Sequence, residues 1–518
     1  MKQSIIRNPN PKTYRHREFL VCFIIVITSF TFLVKTLDEP GLTWDEANFI
    51  PSSISYLNWF QILGDDIPNA FSKETITSCW YPTSEHPPFA KLLSALTISL
   101  FHKYTDVVFA ARISTALIFS LLVLLVYKFT GAVYGRHAGY FAALSLFIMP
   151  RVFGHAHFAS LDICMSFTWF FTVFSFTKGL KNIKWSIITG IVYGLALATK
   201  LNALFLPIPI LIWAHTYHRK KYFPNVIAML LISPLVFISI WPWLWPEPFT
   251  RIAHYITSKF DRISIPVYYL RTVYKDITAP WHYPIVMTLV TLPPLVLILA
   301  VSETVKIVKA RFRKNPAGIL ILLNIVTCIG VMILPRAQKY DGVRLFLPAF
   351  PFIACLAGAA LYRSLQNVKG KPSPVLGIIL LMAGAIPLFN IHPYYLSYYN
   401  ILTGGVKGAN KLGFETTYWG DTCTNDILNY LNENAPPDAK IAIYPSGCNV
   451  TALYQFTGKL RKDIKSVPLE EWDTLDYLVL NCRQGFFDER LWEIYGKGNY
   501  ECAAIFRDVP LTAVYKTQ

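Results

Sequence analysis

Long apolar runs, separated by gaps in which Lys and Arg recur at every second interval, constrain this chain more than any other feature. The runs lie near 19–37, 107–130, 138–150, 160–177, 185–199, 201–217, 224–245, 283–301, 317–335, 345–362 and 374–391. Each reaches or approaches the roughly 20 apolar residues that cross a bilayer as a helix. We read about eleven spans. A soluble fold would have to bury every one of these helices on all sides, and at 53% hydrophobic residues the membrane is the simpler solvent for them. The basic stretch before the first run, and the absence of a small-residue cleavage site after it, predict an uncleaved first span.

Charge orients the spans. Basic residues fill alternate gaps: Lys2, Arg7, Lys12, Arg15 and Arg17; Lys128 and Arg136; Lys178, Lys181 and Lys184; Arg219, Lys220 and Lys221; Lys306, Lys309, Arg311, Arg313 and Lys314; Arg363, Lys369 and Lys371. These gaps are assigned to the cytoplasm, together with the N-terminus. The loop 38–106 is acidic instead and is assigned to the exterior. Its apolar run 88–102 would reverse every later loop if it crossed, so it reads as a helix lying at the interface. A formal charge of +17 would suit a nucleic-acid binder, but much of it is distributed between spans, so no nucleic-acid partner is expected.

Beyond 392 the composition changes. Residues 393–518 lack a spanning run. DAKIAIY (438–444) and LDYLVL (475–480) read as strands and 425–434 as a helix. The expected architecture is therefore mainly α: a polytopic membrane domain, 1–392, followed by a small exterior α/β domain, 393–518. No repeat or inverted pair of broken spans supports a transporter. Four cysteines in the last domain (Cys423, Cys448, Cys482, Cys502) predict one or two disulfides in an oxidising compartment. None of the cysteines has zinc-ligand spacing.

Several polar residues stand where an exterior site would need them. Thr43 to Glu46 has the form of a capping box, yet Asp45 beside it is free to act as a general base, with Glu46 supporting. In Glu85-His86-Pro87-Pro88 the prolines preset a turn, which serves either as a rigid end to the exterior segment or to aim His86 or Glu85 at a site, with Lys91 one helical turn on. Arg112 and Asp162 lie within spans, where a charge needs a partner; for Arg112 a carboxylate and a lipid phosphate serve equally well. His155 and His157 alternate too closely to share a helix face, which argues against a metal pair. Lys200 interrupts an apolar stretch at its exterior end. Arg251 and Arg271 in 246–282, and Arg336 and Arg344 before the 345–362 span, oppose the positive-inside trend. Arg matches phosphate oxygens bidentately, so these cations are candidates to converge on a phosphate. Trp241, Trp243 and Trp245 read as an interfacial belt. A single exterior carboxylate with several cations suits sugar transfer from a lipid phosphate better than glycoside hydrolysis, which usually needs two facing carboxyls.

Trp44-Asp45-Glu46 followed by Glu85-His86-Pro87-Pro88-Phe89-Ala90-Lys91-Leu92-Leu93 resembles the first exterior loop of the protein O-mannosyltransferases. Ala111-Arg112-Ile113-Ser114-Thr115-Ala116-Leu117, Tyr134-Gly135-Arg136-His137-Ala138-Gly139 and Ala198-Thr199-Lys200 are similar to stretches of the wider family, whose bacterial branch includes the lipid A aminoarabinose transferases. The resemblance covers roughly 19–350. It implies a GT-C fold with inverting transfer from a polyprenyl-phosphate sugar to a glycan, lipid or protein acceptor. It assigns Asp45 as base or acceptor contact, Glu46 as its support, Arg112 and Lys200 to the donor phosphate, and Asp162 and Lys91 to the substrate site. The chain lacks the large inserted soluble repeat domain of the eukaryotic enzymes, which puts a protein acceptor in doubt. No cofactor is certain from the sequence; a divalent ion is compatible with the reading but is not indicated by any ligand pattern. A bacterial inner membrane is the expected location. The competing readings are an oligosaccharide transferase of the same fold, a flippase for lipid-linked sugars, and a nonenzymatic protein that binds them.

Overall fold

A computed structural model describes residues 11–258, 262–310, 315–367 and 374–517. Lys2, Arg7, Arg311, Arg313, Lys314, Lys369 and Lys371 lie outside them. Helices occupy each of the predicted apolar runs, among them Pro11–Val34, Val107–Tyr134, Arg136–Phe147, Leu161–Gly179, Ile183–Leu197, Phe223–Ser239, Pro316–Val331 and Phe350–Gln366. Among the described residues five helical stretches are long and apolar enough to cross a membrane: His16–Val34, Val107–Tyr134, Leu201–Ser239, Arg344–Gln366 and Pro374–Ile391. The run 283–301 is two helices, Tyr283–Thr291 and Pro294–Lys309, broken where Pro293 and Pro294 remove two backbone donors.

Small residues let the central helices approach closely. A Cβ at Gly139 would lie 2.6 Å from the Tyr127 carbonyl oxygen, and one at Gly358 would lie 2.4 Å from the Ala142 nitrogen. Asp106 caps Val107–Tyr134 through the amides of Val108 and Phe109. The interfacial run forms a helix, Phe89–Phe101, whose Ala90, Ser94, Ala95 and Ile98 are buried while Leu96 and Leu100 are exposed.

Two sheets follow. Strands β1 (Pro266–Tyr269) and β2 (Thr272–Lys275) make an antiparallel hairpin within the 246–282 loop, an element the sequence pattern did not announce. The C-terminal unit carries β3 (Lys440–Tyr444), β4 (Lys465–Ser466), β5 (Tyr477–Asn481), β6 (Cys502–Phe506) and β7 (Val509–Lys516), in the order β4-β3-β5-β7-β6. β3 is parallel to β4 and β5; β7 is antiparallel to β5 and β6. Helix Asn425–Asn434 packs on it with Ile427, Leu428 and Leu431 buried. The unit is docked on the helical domain: Trp44 donates its backbone N–H to the Trp419 carbonyl (3.0 Å) and Gly41 to that of Asp421 (2.8 Å). The expected disulfides are absent; all nine cysteines are free thiols.

Candidate functional site

The helix Glu46–Asp65 begins where the first helix gives way to the docked loop. Glu46 closes the capping box: its Oε2 accepts from the Thr43 amide (3.0 Å) and hydroxyl (3.1 Å). The Asp45 side chain makes no capping bond and turns the other way. There it meets Arg344, which sits in the 3₁₀ turn Arg344–Ala349 before the helix Phe350–Gln366.

Arg344 is the hub of the site. Its guanidinium contacts Asp45, donates from Nε to Asp162 Oδ2 (3.0 Å) and from Nη1 to Asp341 Oδ2 (2.9 Å), and lies over the Trp419 ring (4.3 Å). The second oxygen of Asp162 takes Lys200 Nζ at 2.8 Å. Lys200 stands in extended conformation where Ile183–Leu197 has ended and the next 3₁₀ turn begins. A backbone bond from Phe89 N–H to the Ala198 carbonyl (2.9 Å) ties the His-Pro-Pro run to this segment. Asp341 Oδ1 accepts from Arg483 Nη2 (2.7 Å), which follows β5 in the α/β unit. Three carboxylates and three cations thus alternate in one buried cluster. Burial raises the Asp45 carboxyl above its ordinary range and the carboxylates of Asp162 and Asp341 add to the rise, while Arg344 and Lys200 pull it down.

Asp45, Asp162, Lys200 and Arg344 are therefore brought together. The other sequence candidates are placed elsewhere. Arg112 spends all five donors: Nε and Nη2 on Glu46 (2.7 and 2.8 Å), Nη1 on the carbonyls of Leu37 and Pro40 (2.7 and 3.0 Å), and Nη2 also on that of Gly41 (2.8 Å). Nothing of it remains for a phosphate. Glu46, whose Oε1 also accepts from the Ala159 amide (3.0 Å), is equally committed. The pair pins the loop that carries Asp45. Lys91 is buried, with its ammonium on the Thr83 carbonyl and hydroxyl and the His86 carbonyl (2.9, 2.7 and 2.9 Å). It shapes the turn instead of reaching a head group. His86 sets its ring edge-on against Phe49 (5.6 Å). Arg251 bonds the Trp243 carbonyl (2.6 Å) and the Thr77 hydroxyl (3.0 Å) beside an aromatic cluster that buries Trp241 and Trp243, which rules them out of an interfacial belt. Arg271 is exposed and bonds the Lys411 carbonyl (2.8 Å). Arg336 is exposed.

The sequence reading missed Asp341, Trp419, Arg483 and Glu415. Asp341-Gly342, three residues before Arg344, is a turn signal that would have found the first. Nothing in sequence ties residues of the last domain to Arg344. Glu415 lies beside Arg483, Oε1 to Nε 3.8 Å, and burial pushes its carboxyl up to about 7. Burial likewise raises Asp421 to about 7 and lowers His155 and His157 to about 3. His157 holds Thr36 (2.8 Å) and the Phe153 carbonyl (2.9 Å), so neither of its nitrogens is open to a metal. Among the described residues no group of three His, Cys, Asp or Glu is arranged to hold an ion; a guanidinium occupies the centre of the three aspartates.

This fold is also found in a solved protein. ArnT from Cupriavidus metallidurans in its apo state superposes with a TM-score of 0.52 at 15% identity, over 97% of this chain and 98% of that one. The chain has the GT-C fold. Its residues 85–245 match the family described as dolichyl-phosphate-mannose-protein mannosyltransferase, and the resemblance read from the motifs is in line with that match. The oligosaccharyltransferase of Archaeoglobus fulgidus with zinc and sulfate gives 0.49 at 13% identity, over 88% of this chain and 67% of that one. The yeast Pmt1-Pmt2 complex with its sugar donor gives 0.33 at 17%, over 49% and 38%. No curated protein matches this chain in sequence.

Proposed function

We propose that this GT-C protein is an integral membrane glycosyltransferase that moves a sugar from a polyprenyl phosphate to a hydroxyl acceptor, with inversion, at the membrane face carrying the α/β unit. The observation that carries the reading is the convergence of Asp45, Asp162, Lys200 and Arg344, drawn from four separate parts of the chain, into one buried cluster. ArnT of C. metallidurans, whose apo form shares this fold, has also been seen bound to undecaprenyl phosphate. Positive-inside counting supports a cytoplasmic N-terminus and an exterior site; the reading takes the membrane to be a bacterial inner membrane.

The chemistry follows from the cluster. A donor phosphate entering it finds Lys200 and Arg344, the second able to meet two oxygens at once. As the anomeric carbon–oxygen bond breaks, its electron pair and the negative charge pass to the phosphate, and fixed cations in a dry site stabilise that charge strongly. Asp45 takes the acceptor's hydroxyl proton as the new carbon–oxygen bond forms on the opposite face. Asp162 holds both cations in register. The reading places Glu46 and Arg112 behind the site, as the support of the loop. Acceptor identity is open to glycan, lipid and protein alike.

Labelled polyprenyl-phosphate sugars, offered with an envelope fraction to purified protein in lipid, test the reading. Acceptor-dependent transfer by the wild type, lost in Asp45→Asn, is expected. Donor binding with no turnover, or full transfer by Asp45→Asn, would overturn it.

A further inference from the structure

The α/β unit is not only docked near the reaction centre; it contributes a charge to it. Arg483 Nη2 takes Asp341 Oδ1 at 2.7 Å, and Arg344 Nη1 takes Asp341 Oδ2 at 2.9 Å. All three side chains are almost fully buried. The geometry of the intervening turn is specialised: Asp341 has φ +54 and Gly342 φ +62, Gly342 N–H donates to the Tyr283 hydroxyl (3.1 Å), and Arg344 N–H returns to the Asp341 carbonyl (3.2 Å). A second route runs through rings: Arg483 lies over Phe486 (4.7 Å), and Phe486 approaches Trp44, the neighbour of Asp45 (6.3 Å).

We infer that Arg483 is a positioning residue for the transfer reaction, which holds one oxygen of Asp341 so that Arg344 is shared with Asp45 and Asp162 and presented to the donor phosphate. The inference rests on the proposed function. Its physical basis is the preference of a guanidinium for both oxygens of one carboxylate. With Arg483 present, Asp341 has one oxygen to give. Without it, Asp341 can take Arg344 by both oxygens, draw the guanidinium toward the turn, and lower its hold on the other two aspartates and on phosphate. Glu415 Oε1 lies 3.8 Å from Arg483 Nε.

The test uses full-length protein in lipid, with steady-state transfer and direct binding of undecaprenyl phosphate as readouts. Arg483→Gln is expected to raise the donor KM and weaken undecaprenyl phosphate binding about 10–100-fold, since small misplacements at a reaction centre reach that size, with a smaller change in kcat. Arg483→Lys restores part of the loss. In an Asp341→Asn background Arg483→Gln adds little, because the two act through one link. Lys407→Ala, which breaks an exposed pair with Asp508 on the same unit, leaves both readouts unchanged. Should Arg483→Gln not accumulate as folded protein, Arg483→Met, which fills similar space without donors and leaves the Asp341 carboxylate in place, is read in the same way. Wild-type KM and affinity in either variant, or fully additive losses in the double variant, overturn the inference. Transfer by Asp45→Asn at the wild-type rate would instead sink the functional reading beneath it.

Discussion

Replacing Glu46 by Gln should unfold the site rather than slow its chemistry. The Glu46 carboxylate receives five hydrogen bonds, two of them from Arg112, and Arg112 in turn places its remaining donors on three backbone carbonyls of the loop that leads to Asp45. Both side chains are essentially fully buried. An amide of the same size keeps the shape but leaves the guanidinium without its counter-charge and turns at least one acceptor into a donor facing donors. Breaking a buried pair from one side costs about 3–5 kcal/mol. Against the 5–15 kcal/mol by which folded domains usually exceed their unfolded states, that is a large share. Melting of the purified protein in detergent, followed alongside its yield of monodisperse material, measures the effect. Glu46→Gln and Arg112→Gln should each melt far below wild type, and the double variant should lose less than the sum. Glu46→Gln with a wild-type melt and no turnover would refute the reasoning and return Glu46 to the chemistry.

Lys200→Ala should raise the donor KM more than it lowers kcat, by an amount consistent with one charged hydrogen bond, about 1.5–3 kcal/mol or roughly 10–100-fold; an unchanged KM in transfer kinetics would remove Lys200 from the phosphate site. Glu415 and Asp421 keep their protons up to about 7 in the folded protein. Between the ordinary carboxylate range and 7 the unfolded chain has lost those protons and the folded chain has not, so stability falls as pH rises through that window and the full penalty is present above it. Glu415→Gln and Asp421→Asn should therefore raise the melting temperature at pH 8 relative to wild type, and should gain little at pH 5.

Fold and site were legible to different depths. Apolar runs and basic gaps are local patterns, so helix positions could be read residue by residue, and the Asp45, Asp162 and Lys200 motifs carry their order along the chain. A charge in a span declares that it has a partner, but sequence does not say which. Arg112 accordingly suited a carboxylate and a phosphate equally until Glu46 was seen to absorb its Nε and one Nη2 donor. Charge counting assigned Arg251, Arg271 and Arg336 to one side of the membrane, which is a statement about a half-space and not about a point in it. Arg251 ended on Trp243 and Thr77, and Arg271 on Lys411. Arg483 required the docking of the α/β unit, whose contacts with the loop at 41–44 include backbone bonds that any sequence could make.

The arrangement also orders events when a donor arrives. Among the described residues Asp162 is ion-paired with two cations and Asp341 with two, whereas Asp45 is ion-paired with Arg344 alone. The Asp45 side chain is 18% exposed, against 1% for Asp162 and 3% for Asp341. A phosphate competing for Arg344 therefore displaces Asp45 first, and the group released is the proposed base. Arg344 lowers the Asp45 pKa, so losing it to phosphate raises that pKa, and the phosphate's own charge raises it further. A base works only when deprotonated, so activity falls as pH drops through its pKa. The profile of kcat/KM reports the free enzyme and that of kcat the donor complex. The acid limb of kcat should thus lie at higher pH than that of kcat/KM, and both limbs should disappear in the residual activity of Asp45→Asn, reduced about 10²–10⁴-fold. Coincident limbs would mean that Asp45 is never released, and that the carboxylate beside Arg344 serves structure and not proton transfer.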